Sequence, residues 1–311
     1  MSRRPAAPAQ LPLPRPARRA IVLAGAAALL RMPVSALAEA PLRNGQGLLF
    51  RISRSGVPDS FVFGTMHSAD PRVLAVGLDA DRPLGSTRTL AMELATDTLV
   101  DARVFELEQF RDGRRLEPLV GDAPYERIRT LLVEQDVPEK SIEHMKPWAA
   151  MVKITRRRLA EGEISLDQQI AAQARARRMR VVSLEWIEEQ VAAFDGIPIP
   201  SQVALLLHAL DRPEALEAEQ EAAIEAWLRG DLAALSRFPE RAGERTPGMG
   251  AHYRQLARHI VQNRTILMHH RLIIPLRSGR VFVAVGALHL PGDAGLLALL
   301  QRDGYTVTRV V

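Results

Sequence analysis

The chain has 311 residues, 47% of them hydrophobic and 25% charged, with no cysteine and a formal net charge of +5. The lack of cysteine excludes disulfides, thiolate nucleophiles and Cys-type zinc sites together, and the length is ample for an ordinary buried core. The positive charge is local: six of the 41 basic residues and none of the 36 acidic ones fall in positions 1–38, so the rest carries 35 basic against 36 acidic residues. A near-neutral remainder removes the main support for a nucleic-acid partner.

Positions 1–38 have the form of a leader. Arg3, Arg4, Arg15, Arg18 and Arg19 make a basic region, Ala20–Leu30 is a short apolar run, and Ala36-Leu37-Ala38 fits a small-residue cleavage site. The apolar run is too short for a membrane span and stops at Arg31. We therefore expect a signal peptide cleaved near Ala38, by the Sec or the twin-arginine route (Arg18-Arg19). The mature protein, 39–311, is then a single periplasmic or secreted domain without a stable membrane span.

Further on, 47–56 and 59–64 read as a hairpin with Ser55-Gly-Val-Pro58 as its turn. A helix is expected near 71–84, then a strand over 88–94 that contains Glu93. The middle is helical over 99–111, 123–136 and 147–161, and Ser165-Leu-Asp-Gln168 makes a capping box for a helix reaching 178. A strand over 181–185 and helices over 201–211 and 213–229 follow. A long helix over 251–277 is expected to kink before Pro275. The chain closes with a strand at 280–285, a helix at 291–302 and a strand at 305–311. Strands near both ends with helices between them predict an α/β fold, α+β being the alternative, with a central sheet and a helical middle layer.

Two segments stand out. Phe61-Val-Phe-Gly64-Thr-Met-His67 and Val283-Ala-Val-Gly286-Ala-Leu-His289 are both buried-type strands followed by Gly-x-x-His. Glycine lets the backbone turn or approach another group closely, and the histidine beyond it falls at the strand's C-terminal edge, where open α/β sheets place their sites. Glu93 ends a third such strand. Two imidazoles and a carboxylate suit a divalent metal, so His67, Glu93 and His289 are the candidate ligands, with Gly64 and Gly286 as motif glycines. The alternative is that each histidine merely caps a strand. Thr65 shares the face of His67 and is a candidate to orient it or to bind substrate.

No His-Glu-x-x-His, Gly-x-Ser-x-Gly, Walker loop or Gly-x-Gly-x-x-Gly occurs in a suitable context. The other histidines lie in helical stretches, and neighbours such as His269-His270 point about 100° apart on a helix, so they cannot share an ion.

The ordered set Phe-Gly-Thr-Met-His67, Ala-Met-Glu93-Leu, Met-Lys146-Pro-Trp148, Ser-Leu-Asp167, Leu-Glu185 with Gln190, Gln-Asn263-Arg264 and Val-Gly286-Ala-Leu-His289-Leu-Pro-Gly292 resembles the TraB/GumN family over 47–311. That family includes the Tiki proteins, described as metal-dependent peptidases, and the TraB/PrgY pheromone-shutdown proteins. The resemblance implies a metalloprotease-like hydrolase with His67, His289 and Glu93 at its centre, and it adds Asn263 and Arg264 for an oxyanion or a substrate carboxylate. It also makes Lys146 a substrate-binding candidate, against the alternative that Trp148 simply packs there. The cofactor expected is manganese, cobalt or zinc, and the partner a peptide or small molecule. The rival reading is a non-catalytic protein that sequesters such a ligand in the same cleft.

Overall fold

The computed structural model describes residues 41–95, 98–155 and 163–310. The leader therefore lies outside the described residues, as does the 156–162 part of the helix expected over 147–161. Strands from both ends of the chain meet in one sheet: β1 (Leu49–Arg54), β2 (Val57–Thr65), β3 (Thr89–Met92), β4 (Arg180–Ser183), β5 (Val281–Gly286) and β6 (Thr306–Arg309). Their order is β4-β3-β5-β2-β1-β6. The contacts β4/β3, β3/β5 and β5/β2 are parallel, and β1 is antiparallel to β2 and β6. The fold is α/β. Four neighbouring strands thus end at one edge, and the two Gly-x-x-His strands lie side by side, with Gly64 opposite Val285 and Thr65 opposite Gly286.

Central position explains composition. Val281–Val285 is buried throughout because helices cover both faces of β5, and a strand buried on both sides reads as a continuous apolar run. The tight turn between β1 and β2 joins Arg54 to Val57, one residue earlier than the sequence suggests. Gly56 takes φ 74 there, a left-handed conformation that glycine adopts without steric cost.

Helix boundaries depart from expectation where backbone chemistry intervenes. The stretch expected as one helix splits into Pro71–Asp79 and Asp81–Gly85, because Pro83 has no N–H with which to continue the first. The long helix is not interrupted at Pro275, which sits within its last turn. It is instead α-helical over Gly250–Ala257, π-helical over Arg258–Asn263 and α-helical again over Arg264–Leu276. The final helix begins at Leu296 rather than Pro291, after a 3-10 turn at Ala287–His289 and a left-handed Gly292 (φ 86). The helix Ile187–Asp195 and short helices such as Glu139–Glu143 and Leu232–Ser236 carry too little periodic pattern to be read in advance.

Among the described residues, two hydrophobic cores result. One surrounds the sheet, where Phe63, Leu90, Phe282 and Trp227 are each at most 2% exposed. Burying one such side chain contributes about 1.5–3 kcal/mol. The second lies among helices and centres on Leu116, Ile128, Leu132 and Ile142, with Trp148 stacked on Phe194 at 4.8 Å between ring centroids. Among the described residues, no single helix is long and apolar enough to cross a membrane.

Candidate functional site

The C-terminal edge of the parallel strands collects acids and imidazoles. Glu93 follows β3 directly, His67 lies two residues beyond β2, Glu185 two beyond β4, and His289 ends the 3-10 turn after β5. Glu93 is the hub. Its Oε1 accepts from the Gly286 backbone N–H at 2.6 Å and its Oε2 from Arg264 Nη2 at 2.6 Å. A Cβ on Gly286 would stand 3.0 Å from that Oε1. Gly286 has φ −51, so the residue serves close approach rather than a turn. Gly64 is closely packed in its own way: a Cβ there would meet Ala287 Cα at 3.2 Å and a Leu290 methyl at 2.8 Å.

Both imidazoles are held from behind. His67 Nδ1 lies 2.7 Å from Asp167 Oδ2, while Thr65 Oγ1 donates to Asp167 Oδ1 at 2.7 Å. Asp167 sits in the first turn of the helix Leu166–Ala176, which Ser165 and Gln168 cap reciprocally. On the other side, Thr265 Oγ1 donates to the Val261 carbonyl at 2.7 Å and stands 2.8 Å from His289 Nδ1. A hydroxyl has one proton, so His289 Nδ1 must carry its own and donate it to Thr265. Each ring therefore turns Nε2 toward Glu93, at 3.9 Å from Oε2 for His67 and 3.6 Å from Oε1 for His289. Fixing Nδ1 with an acceptor is how proteins present the other imidazole nitrogen to a ligand.

Arg264 holds the carboxylates. Its Nε and Nη2 grip Glu185 at 2.9 and 2.6 Å, Nη2 also reaches Glu93, and Nη1 donates to the Ile260 carbonyl at 3.2 Å. All three nitrogens have acceptors, so in this geometry Arg264 positions Glu93. The π-helical segment just before it sets the facing of these residues. Arg264 is only 13% exposed at its side chain and Thr265 is buried, whereas Asn263 is exposed. Such π segments recur at functional sites.

The electrostatics follow from the geometry. Burial alone would raise Glu93, but His289, Arg264, His67 and the Gly286 N–H together bring it down to about 2. Burial lowers His289 to about 4, so it is neutral at physiological pH. Asp167 raises His67 to about 9, against the opposing effect of its protein surroundings. The His67 side chain is 59% exposed, as befits a ring lining an open cleft, so water tempers that shift.

These groups open onto a cavity of about 550 Å³ whose walls are chiefly apolar, including Met151, Leu205, Phe238 and Ile260. Thr65, His67, Glu93, Arg264, Gly286 and His289 all line it. Two sequence candidates are not brought there. Asn263 faces outward, because its neighbour Arg264 takes the inward position. Lys146 lies in the helical core, where its Nζ pairs with Asp195 at 2.7 Å beside the Trp148 indole, which bonds the same carboxylate at 2.7 Å. Asp167, Glu185 and Thr265 had no assigned role in the sequence reading. Glu185 was the most accessible of them, being another acid just past a strand.

A TraB/PrgY/gumN family model matches residues 48–309. The chain belongs to the TraB/PrgY/gumN family. No curated protein and no solved structure matches it.

Among the described residues, no group of three or more His, Cys, Asp or Glu side chains is gathered as the ligands of a metal ion. The donor chemistry nevertheless suits one. With about 2.1 Å bonds at tetrahedral angles, neighbouring ligand atoms lie about 3.4 Å apart, close to the 3.6 and 3.9 Å from the imidazoles to Glu93. Glu93, Glu185 and Asp167 set against Arg264 leave two negative charges when both imidazoles are neutral, which a divalent cation would balance.

Proposed function

We propose that this family member is an exported, metal-dependent hydrolase acting on peptides. One observation carries the reading: two imidazoles, each fixed through Nδ1, turn Nε2 to a single buried carboxylate at the mouth of an apolar cavity. His67, His289 and Glu93 would hold the ion, with manganese, cobalt and zinc all compatible with imidazole and carboxylate donors. When bound, such an ion supplies Lewis-acid polarisation of a carbonyl and a lowered pKa for water. The chain's own residues do the rest. Asp167 and Thr265 fix the two tautomers, and Arg264 holds Glu93 against Glu185 as an ionised acceptor across neutral pH. Export rests on the leader-like composition of residues 1–38.

A second reading, ligand sequestration without turnover, has its own support. A protonated His67 beside Asp167 and Glu93 offsets much of the site's negative charge without any ion. Metal analysis of protein purified from its host, followed by a mixed peptide library with and without chelator, separates the two. Hydrolysis predicts bound divalent metal, cleavage abolished by chelator and restored by metal, and loss of both in His67→Ala and His289→Ala. Metal-free protein that binds peptides but never cuts them would overturn hydrolysis. N-terminal sequencing of the same material should start near Glu39, and a full-length product retained in the cytoplasm would overturn export.

A further inference from the structure

The site is not at the end of its cavity. A second cavity of about 740 Å³ abuts the apolar one, and the two share Tyr253, Val261, Leu288 and His289 as a common saddle. His289 therefore stands between two arms, with His67 and Glu93 on the side of the first. One arm is apolar, walled by residues such as Met151, Leu205, Leu216, Phe238, Leu256 and Ile260. The other is the more polar of the two and contains Arg254 and Arg258, one helical turn apart and both exposed, together with Glu244 and Asp293. Asp293 is already paired with Arg43 at 3.7 Å. Among the described residues, neither the Arg254 nor the Arg258 guanidinium has a hydrogen-bond or ion-pair partner, so this arm presents an excess of unengaged positive charge.

We propose that the cleft binds an extended peptide lying across the saddle, with apolar residues in the arm beyond His67 and acidic residues against Arg254 and Arg258, so that any cut falls inside the chain and not at its end. This rests on the hydrolase reading for the cutting step alone; the binding mode stands without it. A pocket made for one terminal residue would close just past the reacting groups. Here space continues on both sides of His289. Opposite polarity in the two arms also fixes the direction in which an amphipathic chain can lie.

The test uses the purified full chain and synthetic peptides with an apolar half and an acidic half, each with free or blocked ends. Cleavage is mapped by mass spectrometry with added divalent metal, and binding is followed by fluorescence anisotropy in chelator. Internal cuts near the apolar–acidic junction, indifferent to blocked ends, are expected. Whole peptides should also bind more tightly than either half. Reversing the exposed charges with Arg254→Glu and Arg258→Glu together should weaken binding of the acidic peptide about five- to tenfold and leave a neutral counterpart unchanged. Both sites are on the surface, so folding is not at risk, and a matching melting temperature checks it. Release of single terminal residues, stopped by blocking, would overturn the proposal and leave hydrolysis standing. Whole-peptide binding without any cutting would uphold it while overturning hydrolysis. Equal binding of halves and wholes, indifference to the charge reversal, or no binding at all would overturn it.

Discussion

Two buried glutamates, one in each core, show why burial alone does not make a site. Glu108, 5% exposed, lies at the helical core and is met by Lys153 Nζ at 2.8 Å, from a side chain that is itself 26% exposed. Glu93, 6% exposed, lies at the sheet edge and is met by a guanidinium, a backbone N–H and the Nε2 faces of two imidazoles, delivered from β2, β5 and the long helix. The first is met by one cation alone, and its buried Oε2 accepts no hydrogen bond. Around the second, groups from distant parts of the chain converge, which is what a parallel sheet edge makes cheap.

The sharpest way to break that contrast is to remove each cation. Arg264→Ala strips the partner from two buried carboxylates at once and should cost about 3–5 kcal/mol in urea unfolding measured in chelator. Lys153→Ala, next to solvent, should cost about 1 kcal/mol. Equal costs would mean that Glu93 is no more dependent on its surroundings than Glu108.

A second substitution asks whether the two cores are separable in function. Leu132 is fully buried among helices. Leu132→Ala should destabilise the protein by about 2–5 kcal/mol through lost burial and an unfilled cavity. At temperatures where the variant remains folded, its peptide binding should match wild type. Lost binding in folded Leu132→Ala would show that packing deep in the helical core reaches Met151 and Leu205, the members of that core that wall the cleft.

How much of this was legible beforehand follows the same division. The sheet announced itself: buried strands are written as β-branched and aromatic runs, and two of them ended in the same Gly-x-x-His. His67, Glu93 and His289 could be singled out because a strand end fixes where the next side chain lies. The helical layer was less legible, since Ile187–Asp195 and the short helices owe their form to packing rather than to a long periodic pattern. Asn263 and Arg264 show the limit most clearly. An α-helical reading cannot decide which of two neighbours faces inward, and here a π-helical segment immediately upstream precedes the choice. Asp167 was hidden for another reason: its capping box predicted where a helix starts, but not which strand end that helix faces.

The pH dependence of stability in chelator sharpens the contrast further. His289 is brought down to about 4 from 6.5 chiefly by burial. Between these values the unfolded chain takes up a proton that the folded one refuses, so stability should fall as pH drops from about 6.5 to about 4, by roughly 2–3 kcal/mol. Glu93, held down to about 2 from 4.5, adds a further loss over the more acidic range from about 4.5 to about 2. His289→Gln should flatten the first of these limbs and shrink the second, because a protonated His289 is the foremost of the groups that hold Glu93 down. An unchanged limb between pH 6.5 and 4 would assign it to another group.

The smallest expected effect on stability tests the positioning of His67. Asp167→Asn keeps an oxygen that can accept from His67 Nδ1 and an amide that can face the Thr65 hydroxyl, so the contacts survive while the charge is lost. His67 is largely exposed at its side chain, and the cost in stability should be only about 1 kcal/mol. Its proton affinity should respond far more, because the Asp167 charge is the leading cause of its rise to about 9. In wild type, a raised folded pKa means stability that is present below about 6.5 and lost as pH rises through about 9. In Asp167→Asn that alkaline loss should vanish, and the His67 Hε1 resonance, followed by NMR in chelator, should titrate close to 6.5. Metal affinity should drop about 10- to 100-fold if the ring serves an ion, since an acceptor behind Nδ1 both orients the ring and raises its basicity. A His67 that still titrates near 9 in this variant would mean that Glu93, and not Asp167, governs its charge.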